Sequence, residues 1–299
     1  MSTHYWGIDL GGTKIEGVIL QSTAKPDPLC RIRIDTEAAK GYRHVVEQIR
    51  LLVEQMSRES GLRPEAIGMG TPGTLDTRTR TLKNSNTTCL IGQPLQQDLE
   101  KALKTPFTLA NDANCFALAE ARLGAAQGAE TVFGVIMGTG VGGGIVFHNR
   151  VLDGCQGIAG EWGHNILDPG GPDCYCGRKG CVETFLAGPF LQKYYTSLAG
   201  RTLKLEEIVQ RHAQGNDPHA QATMAHLTAC FGKALAPVIN ILDPHAIVLG
   251  GGVSNIDLLY TEGVREVERH VFNDQLETRI VKHKLGDSAG VFGAAMLVA

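Results

Sequence analysis

Four times along this chain a short apolar run stops at a cluster of glycines. Residues 5–10 end at Gly11-Gly12-Thr13, residues 67–70 at Thr71-Pro72-Gly73, residues 132–137 at Gly138-Thr139-Gly140, and residues 246–249 at Gly250-Gly251-Gly252. Runs this short, closed by turn residues, read as strands, and the pattern predicts an α/β protein. The first and third clusters are followed at once by further strand-like runs, residues 15–20 and 145–147. Each therefore reads as strand, tight turn, strand. That is a hairpin, not the strand-to-helix step of a Rossmann or P-loop unit. The two hairpins lie about 130 positions apart, which suggests an internal duplication with each half opened by a glycine hairpin.

Helices are expected between the strands. Residues 42–57 place Val45, Val46, Ile49, Leu52, Val53 and Met56 at helical spacing, residues 114–123 are alanine-rich, and residues 224–242 run apolar up to Asp243-Pro244. No low-complexity linker interrupts the chain. Any boundary is then a cleft between tightly joined halves, near residues 112–119 and 284–290. The expected division is a smaller domain of residues 1–114 plus 286–299 and a larger one of residues 115–285.

Composition narrows the function. The 299 residues carry a net charge of −3 and no run of Lys or Arg, which disfavours a nucleic-acid partner. Acidic ligands must be held by local devices such as loops and metal ions. The N-terminus shows no basic, apolar leader, and no apolar stretch reaches the ~18 residues of a membrane span. A cytoplasmic protein without membrane attachment is expected. Of eight cysteines, three fall at positions 174, 176 and 181. Clustered so, they read as metal ligands rather than disulfide partners. Cys30, Cys89, Cys115, Cys155 and Cys230 are expected to be buried free thiols.

Five segments carry candidate chemistry. In Asp9-Leu10-Gly11-Gly12-Thr13-Lys14 the glycines can present backbone N–H groups to an anion, Thr13 adds a hydroxyl, and Asp9 could hold Mg²⁺ through water. An ordinary hairpin turn is the alternative. Gly138 to Gly144 holds five glycines in seven residues, more than a turn needs, so close approach of a ligand is favoured over a loose loop. In Asn111-Asp112-Ala113-Asn114, Asp112 is either a helix cap or a general base taking a hydroxyl proton. His164 with Cys174, Cys176 and Cys181 makes four ligands, a closed tetrahedral set that suits structural zinc and disfavours a zinc hydrolase. Glu161, His164 and Glu183 sit beside that set, either ordering sugar hydroxyls or supporting the ligands.

Taken in this order, these motifs resemble the ROK family, named for repressors, open reading frames and kinases. The motifs are Asp9-x-Gly-Gly-Thr-Lys14, Gly138-Thr-Gly-x-Gly-Gly-Gly144, Glu161-x-Gly-His164 and Cys174-x-Cys-Gly-x-x-Gly-Cys-x-Glu183. The resemblance spans residues 7–293. It implies an actin-like (RNase H-like) ATPase fold, two α/β domains with ATP and sugar in a central cleft. It implies that Asp9, Gly11, Gly12, Thr13, Lys14, Gly138, Thr139 and Gly140 serve the phosphates of ATP-Mg²⁺, with Gly251 and Gly252 near the adenosine. Gly73, Asn86, Asn111, Asp112, Glu161, His164 and Glu183 would bind the sugar, with Asp112 as base. His164 would place one ring nitrogen on zinc and the other on a sugar hydroxyl. A homodimer is implied by the family alone. Residues 82–87, 240–244 and 286–290 look most like bacterial fructokinases, which also accept mannose or glucose, with N-acetylglucosamine kinases as close relatives. The family's regulators carry an N-terminal helix-turn-helix domain, for which a phosphate motif starting at Gly7 leaves no room. The nine-residue link from His164 to Cys174 is short for the family and trims a loop near the sugar.

Overall fold

A computed structural model describes residues 4–299. The chain divides into two compact units. The first holds the chain up to Ala129, then Gly144–Ala159 and Lys284–Ala299; the second holds Glu130–Gly143 and Gly160–His283.

In the first unit, β1 (Tyr5–Leu10) and β2 (Lys14–Leu20) form the expected antiparallel hairpin. β3 (Pro28–Asp35) continues it, and β4 (Ile67–Thr71) follows after helix α1 (Tyr42–Ser60). A two-stranded ribbon, β5 (Thr74–Leu75) and β6 (Leu82–Lys83), precedes α2 (Leu95–Leu103) and β7 (Phe107–Asn111). The sheet order is β3-β2-β1-β4-β7, with β1, β4 and β7 parallel. Sequence explains the positions. The interior strand β4 is buried at every residue. Edge strand β3 alternates, hiding Cys30 and Ile32 while Arg31 and Arg33 face outward. Helix α1 buries Val45, Ile49, Leu52, Val53 and Met56 of the periodic set read from sequence, each contributing about 1.5–3 kcal/mol of apolar burial, while Val46 is only half-buried. It stops at Gly61, left-handed at φ 71°.

Helix α3 (Asp112–Arg122) lies under the same sheet and packs on the C-terminal helix Ala289–Met296. Small residues allow this: a Cβ on Gly293 would sit 1.8 Å from the Cys115 carbonyl oxygen. The contact-based division keeps α3 whole in the first unit, whereas the expected boundary after residue 114 falls inside the helix.

The other five-stranded sheet is made of β8 (Thr131–Met137), β11 (Ala246–Gly250) and β12 (Arg279–Lys282) of the second unit, β9 (Val141–Phe147), which straddles the division, and β10 (Arg150–Val151), whose residues belong to the first. Their order is β10-β9-β8-β11-β12. The second unit's helices are α4 (Glu183–Leu186), α5 (Gly188–Ala199), α6 (Leu205–Gln214), α7 (Pro218–Leu242) and α8 (Glu262–His270).

Three expectations change. Helix α7 begins at Pro218, six residues before the expected start, because Asp217 caps it: its Oδ1 accepts from the His219 and Ala220 N–H groups. This helix is also long and apolar enough to cross a membrane by length and composition, contrary to the sequence reading. Its buried face packs on α5, α6 and α8. Finally, of the five scattered thiols, Cys30, Cys115 and Cys230 are buried, but Cys89 is half-buried and Cys155 exposed.

Candidate active site

The parallel strands β1, β4 and β7 of the first unit end side by side, at Leu10, Thr71 and Asn111. All candidate residues of this unit but Asn86, which follows β6, lie at or just past those ends. The β1–β2 turn is closed by the Gly11 N–H donating to the Lys14 carbonyl at 2.9 Å. Thr36, which the sequence pattern does not reveal, staples the turn: its hydroxyl donates to the Gly11 carbonyl at 2.7 Å and its N–H to the Thr13 carbonyl at 2.8 Å. Thr13 and Lys14 are exposed, and Lys14 stands opposite Asp35. Gly73 occupies the β4–β5 turn with φ 95°. Asn86 is exposed in a loop held by Ser85, whose hydroxyl bonds both the N–H and the carbonyl of Thr87. Thr87 in turn abuts the glycine turn, since a Cβ on Gly12 would meet its Oγ1 at 3.3 Å.

The helix cap falls to Asn111, not Asp112. Asn111 Oδ1 accepts from the Asn114 N–H at 2.7 Å. Asp112 sits at the first helical position, accepts from the Ala113 N–H at 2.9 Å, and stays accessible to solvent while protein crowds it. That crowding raises its carboxyl above the usual range, opposed by the Ala113 hydrogen bond. Asp9, half-buried at the end of β1, is pushed up to about 6 by burial first, then by Asp112 and Glu16, against the pull of Arg33. Glu16, opposite Asp9 on β2, is buried and paired with Arg31 and with Arg33, the latter at 2.6 Å. Carboxylates this close, with little to neutralise Asp9, form a place where a divalent cation would be welcome.

In the second unit the second glycine hairpin turns at Gly138, whose N–H donates to the Gly140 carbonyl at 2.9 Å. The expected seven-residue loop is shorter, because β9 begins at Val141. The excess glycine there has a packing cause: a Cβ on Gly143 would meet the Gly160 carbonyl oxygen and Trp162 Cδ1, each at 2.7 Å. Gly138 differs. Its nearest obstacle is the Gly252 nitrogen at 4.0 Å, and a Cβ on Gly252 meets nothing within 4 Å. Gly251 between strand and turn is required by φ 79° and by the Met137 carbonyl at 2.3 Å. Gly138 and Gly252 thus have no protein neighbour that demands glycine. Both line a cavity of about 550 Å³ with Thr139, Gly188, Leu205 and Val253. Helices α5 and α6 supply part of this wall, which no motif announces. Side-chain-free backbone around a cavity is what close approach of a polyanionic ligand needs.

Glu161, Trp162, Gly163 and His164 form a short turn seated on β9 by the Trp162 indole, which donates to the Gly142 carbonyl at 3.0 Å. Glu161 is half-buried at the turn's start. His164 faces Cys174, Cys176 and Cys181, and the four ligand atoms lie within 4.8 Å of one another. Cys176 and Cys181 Sγ are 3.6 Å apart, as are Cys174 Sγ and His164 Nδ1. Tetrahedral zinc–thiolate geometry gives edges of about 3.8 Å, so the donor set fits that ion. Burial pushes the Cys181 thiol up to about 12 and raises Cys174, while the Arg178 N–H lowers Cys176. Deprotonating thiols gathered this tightly takes a bound cation. Glu183 joins knuckle and hairpin: one oxygen accepts from the Val141 N–H at 3.0 Å and the other lies 4.0 Å from Cys174 Sγ. The second nitrogen of His164, Nε2, meets the Tyr175 hydroxyl at 3.0 Å. Tyr175 was not among the expected residues, and Glu183 and Glu161 both act on it electrostatically.

Sheets opened by paired glycine hairpins, with bare backbone around a cavity, define the class: an ATP-dependent sugar kinase on the actin-like ATPase fold. A ROK hexokinase from Thermus thermophilus is 38% identical, with a TM-score of 0.88 over 99% of this chain and 97% of its own. A ROK glucokinase from Streptomyces griseus, solved with glucose and AMPPNP, is 28% identical, with a TM-score of 0.78 over 99% of each chain. The chain belongs to the ROK family, whose model matches residues 5–299. Curated relatives include the N-acetyl-D-glucosamine kinases of Aliivibrio fischeri, 36% identical, and Photobacterium profundum, 37% identical, each over 98% of both chains.

Proposed function

We propose that this kinase transfers the γ-phosphoryl group of ATP to the 6-hydroxyl of N-acetyl-D-glucosamine. The observation that supports the substrate is the end-to-end similarity, at 36% and 37% identity, to kinases of that name. It displaces fructose, which the local motifs at residues 82–87, 240–244 and 286–290 had favoured.

In this reading Asp112 is the base. It is spared from capping by Asn111, it is accessible, and a raised carboxyl pKa improves its affinity for the departing proton. Gly73, Asn86, Asn111, Glu161, His164 and Glu183 order the sugar. The backbone at Gly11, Gly12 and Gly138, with Thr13, Lys14, Thr139 and Gly140, lets the phosphates approach closely, the Gly11 and Gly138 N–H groups being held within their own turns, while Gly251 and Gly252 accommodate the adenosine beside the cavity. Asp9 would hold Mg²⁺ through water; when bound, that ion would neutralise charge on the transferring phosphoryl group. Zinc, when bound by His164, Cys174, Cys176 and Cys181, is structural. The enzyme would work in the cytoplasm, as a homodimer.

A coupled assay with ATP against N-acetylglucosamine, fructose, mannose, glucose and N-acetylmannosamine tests the substrate. The expected result is the highest kcat/KM for N-acetylglucosamine; a higher value for fructose overturns the reading. Asp112→Asn should lower kcat about 10²-fold or more while sugar still binds. Near-normal turnover would remove Asp112 from the mechanism.

A further inference from the structure

The first unit contains a cavity of about 690 Å³ that no motif touches. Its walls are the last two turns of α1, the link at Arg63-Pro64 that precedes β4, and residues 102–105, where α2 ends and β7 is about to begin. It therefore lies where the parallel strands start. The candidate active-site residues lie where those strands end, five residues further on, a separation of about 16 Å.

Three cations line this cavity: Arg58, Arg63 and Lys104. Among the described residues none of the three has an ion-pair partner, whereas Arg50 on the same helix is paired with both Glu47 and Glu54. The wall's own carboxylate is that same Glu54. Basic side chains at helix C-termini often serve bare carbonyls. Here the carbonyls of the two lining residues at the helix ends are served otherwise. The Ser57 carbonyl accepts from the Gly61 N–H at 3.0 Å, and the Leu103 carbonyl from the Thr105 hydroxyl at 3.2 Å. Positive charge without a partner is thus concentrated in a concavity of a chain whose net charge is −3.

The rest of the wall narrows the ligand. A bare phosphate would engage the cations and leave most of the volume unused. Val53 and Leu103 offer apolar surface, and Ser57 and Glu54 offer groups that accept from hydroxyls. Guanidinium forks suit a phosphate monoester, while the other groups suit a hydroxylated ring attached to it.

We propose that this cavity is a second ligand site, separate from the candidate active site, that takes a small sugar phosphate and holds its phosphate through Arg58, Arg63 and Lys104.

Glucose 6-phosphate, glucose, inorganic phosphate and sulfate serve as probes. Each is titrated calorimetrically into the full chain, into Arg58→Gln/Arg63→Gln, and into Lys104→Gly, a change that suits the φ of 55° at that position. None of these side chains has an ion pair to lose, so both variants should keep the wild-type unfolding midpoint, kcat and KM. Any binding at the candidate active site persists in both, so the difference from wild type isolates the cavity. The Kd for glucose 6-phosphate should rise at least about tenfold in the double variant and about threefold or more in Lys104→Gly, as lost charge-assisted hydrogen bonds require. Glucose binding should be the same in all three proteins. Inorganic phosphate and sulfate should bind the wild type at least about tenfold more weakly than glucose 6-phosphate. Equal binding of glucose 6-phosphate by all three proteins, or no binding by the wild type, overturns the proposal. Inorganic phosphate or sulfate binding as tightly as glucose 6-phosphate overturns it too, since the cavity would then be a general anion trap. The outcome does not depend on which sugar the chain phosphorylates.

Discussion

At the scale of single residues, two neighbouring glycines separate folding from binding. Gly251 is demanded by its own backbone, so Gly251→Ala should destabilise by more than about 1 kcal/mol, seen as a lower unfolding midpoint. Gly252 is demanded by nothing in the protein. Gly252→Ala should leave the unfolding midpoint in place and raise the KM for ATP about tenfold; an unchanged KM would show that no ligand approaches there. Asp9 carries a pH signature. Its carboxyl titrates near 6 in the fold against 3.8 when free. Above pH 6 the folded state carries an ionised group it disfavours, and the penalty fades as pH falls from 6 to 4. Without nucleotide or Mg²⁺, Asp9→Asn should therefore stabilise at pH 8 by about 1–3 kcal/mol and make no difference near pH 4, as denaturant titrations would reveal. Much at this scale is legible in the sequence, because glycine and acidic residues at strand ends announce themselves. Thr36 and Glu16 do not. Their importance arises only when β3 and its end fold back on the hairpin, bringing together residues some twenty positions apart.

At the scale of elements, the cysteine knuckle is a fold in miniature. Its hairpin is closed by the Cys174 N–H donating to the Arg178 carbonyl at 2.8 Å and the Gly177 N–H to the Cys174 carbonyl at 3.0 Å. Those few bonds cannot alone hold three thiols together against burial. Cys176→Ser should abolish bound zinc in metal analysis and lower the unfolding midpoint by several degrees; full retention of zinc would sink the four-ligand site. Element boundaries were legible wherever a punctuating residue stood in the chain: β1 stops where Gly11 begins, as expected. They were misjudged where two signals compete. Gly142, Gly143 and Gly144 look like a loop by composition, yet they are the start of β9, kept small by what packs against it. The Asp217-Pro218 cap of α7 was a readable signal that the apolar periodicity from residue 224 overshadowed.

At the scale of the whole molecule, ligand binding should appear as stability. A non-hydrolysable ATP analogue at a hundredfold excess over its Kd should add about 2.7 kcal/mol, raising the unfolding midpoint by several degrees, and the gain should shrink in Gly252→Ala. The α/β class was legible in the strands closed by glycine, and the actin-like fold in the family resemblance that the order of the motifs carries. The cavity was not, because α5 and α6 contribute walls from segments with no motif. Nor was the route of the chain, whose last residues, Lys284–Ala299, belong to the first unit. The C-terminal helix packs on β1 and β4 and on α3. That return has a consequence for biosynthesis. Although its strands are made first, the first unit cannot be completed until Lys284–Ala299 have been made, after the second unit's chain. The usual order, N-terminal part first, is inverted here. While the second unit's chain is being made, the strands of the first still lack the helix that packs on β1 and β4.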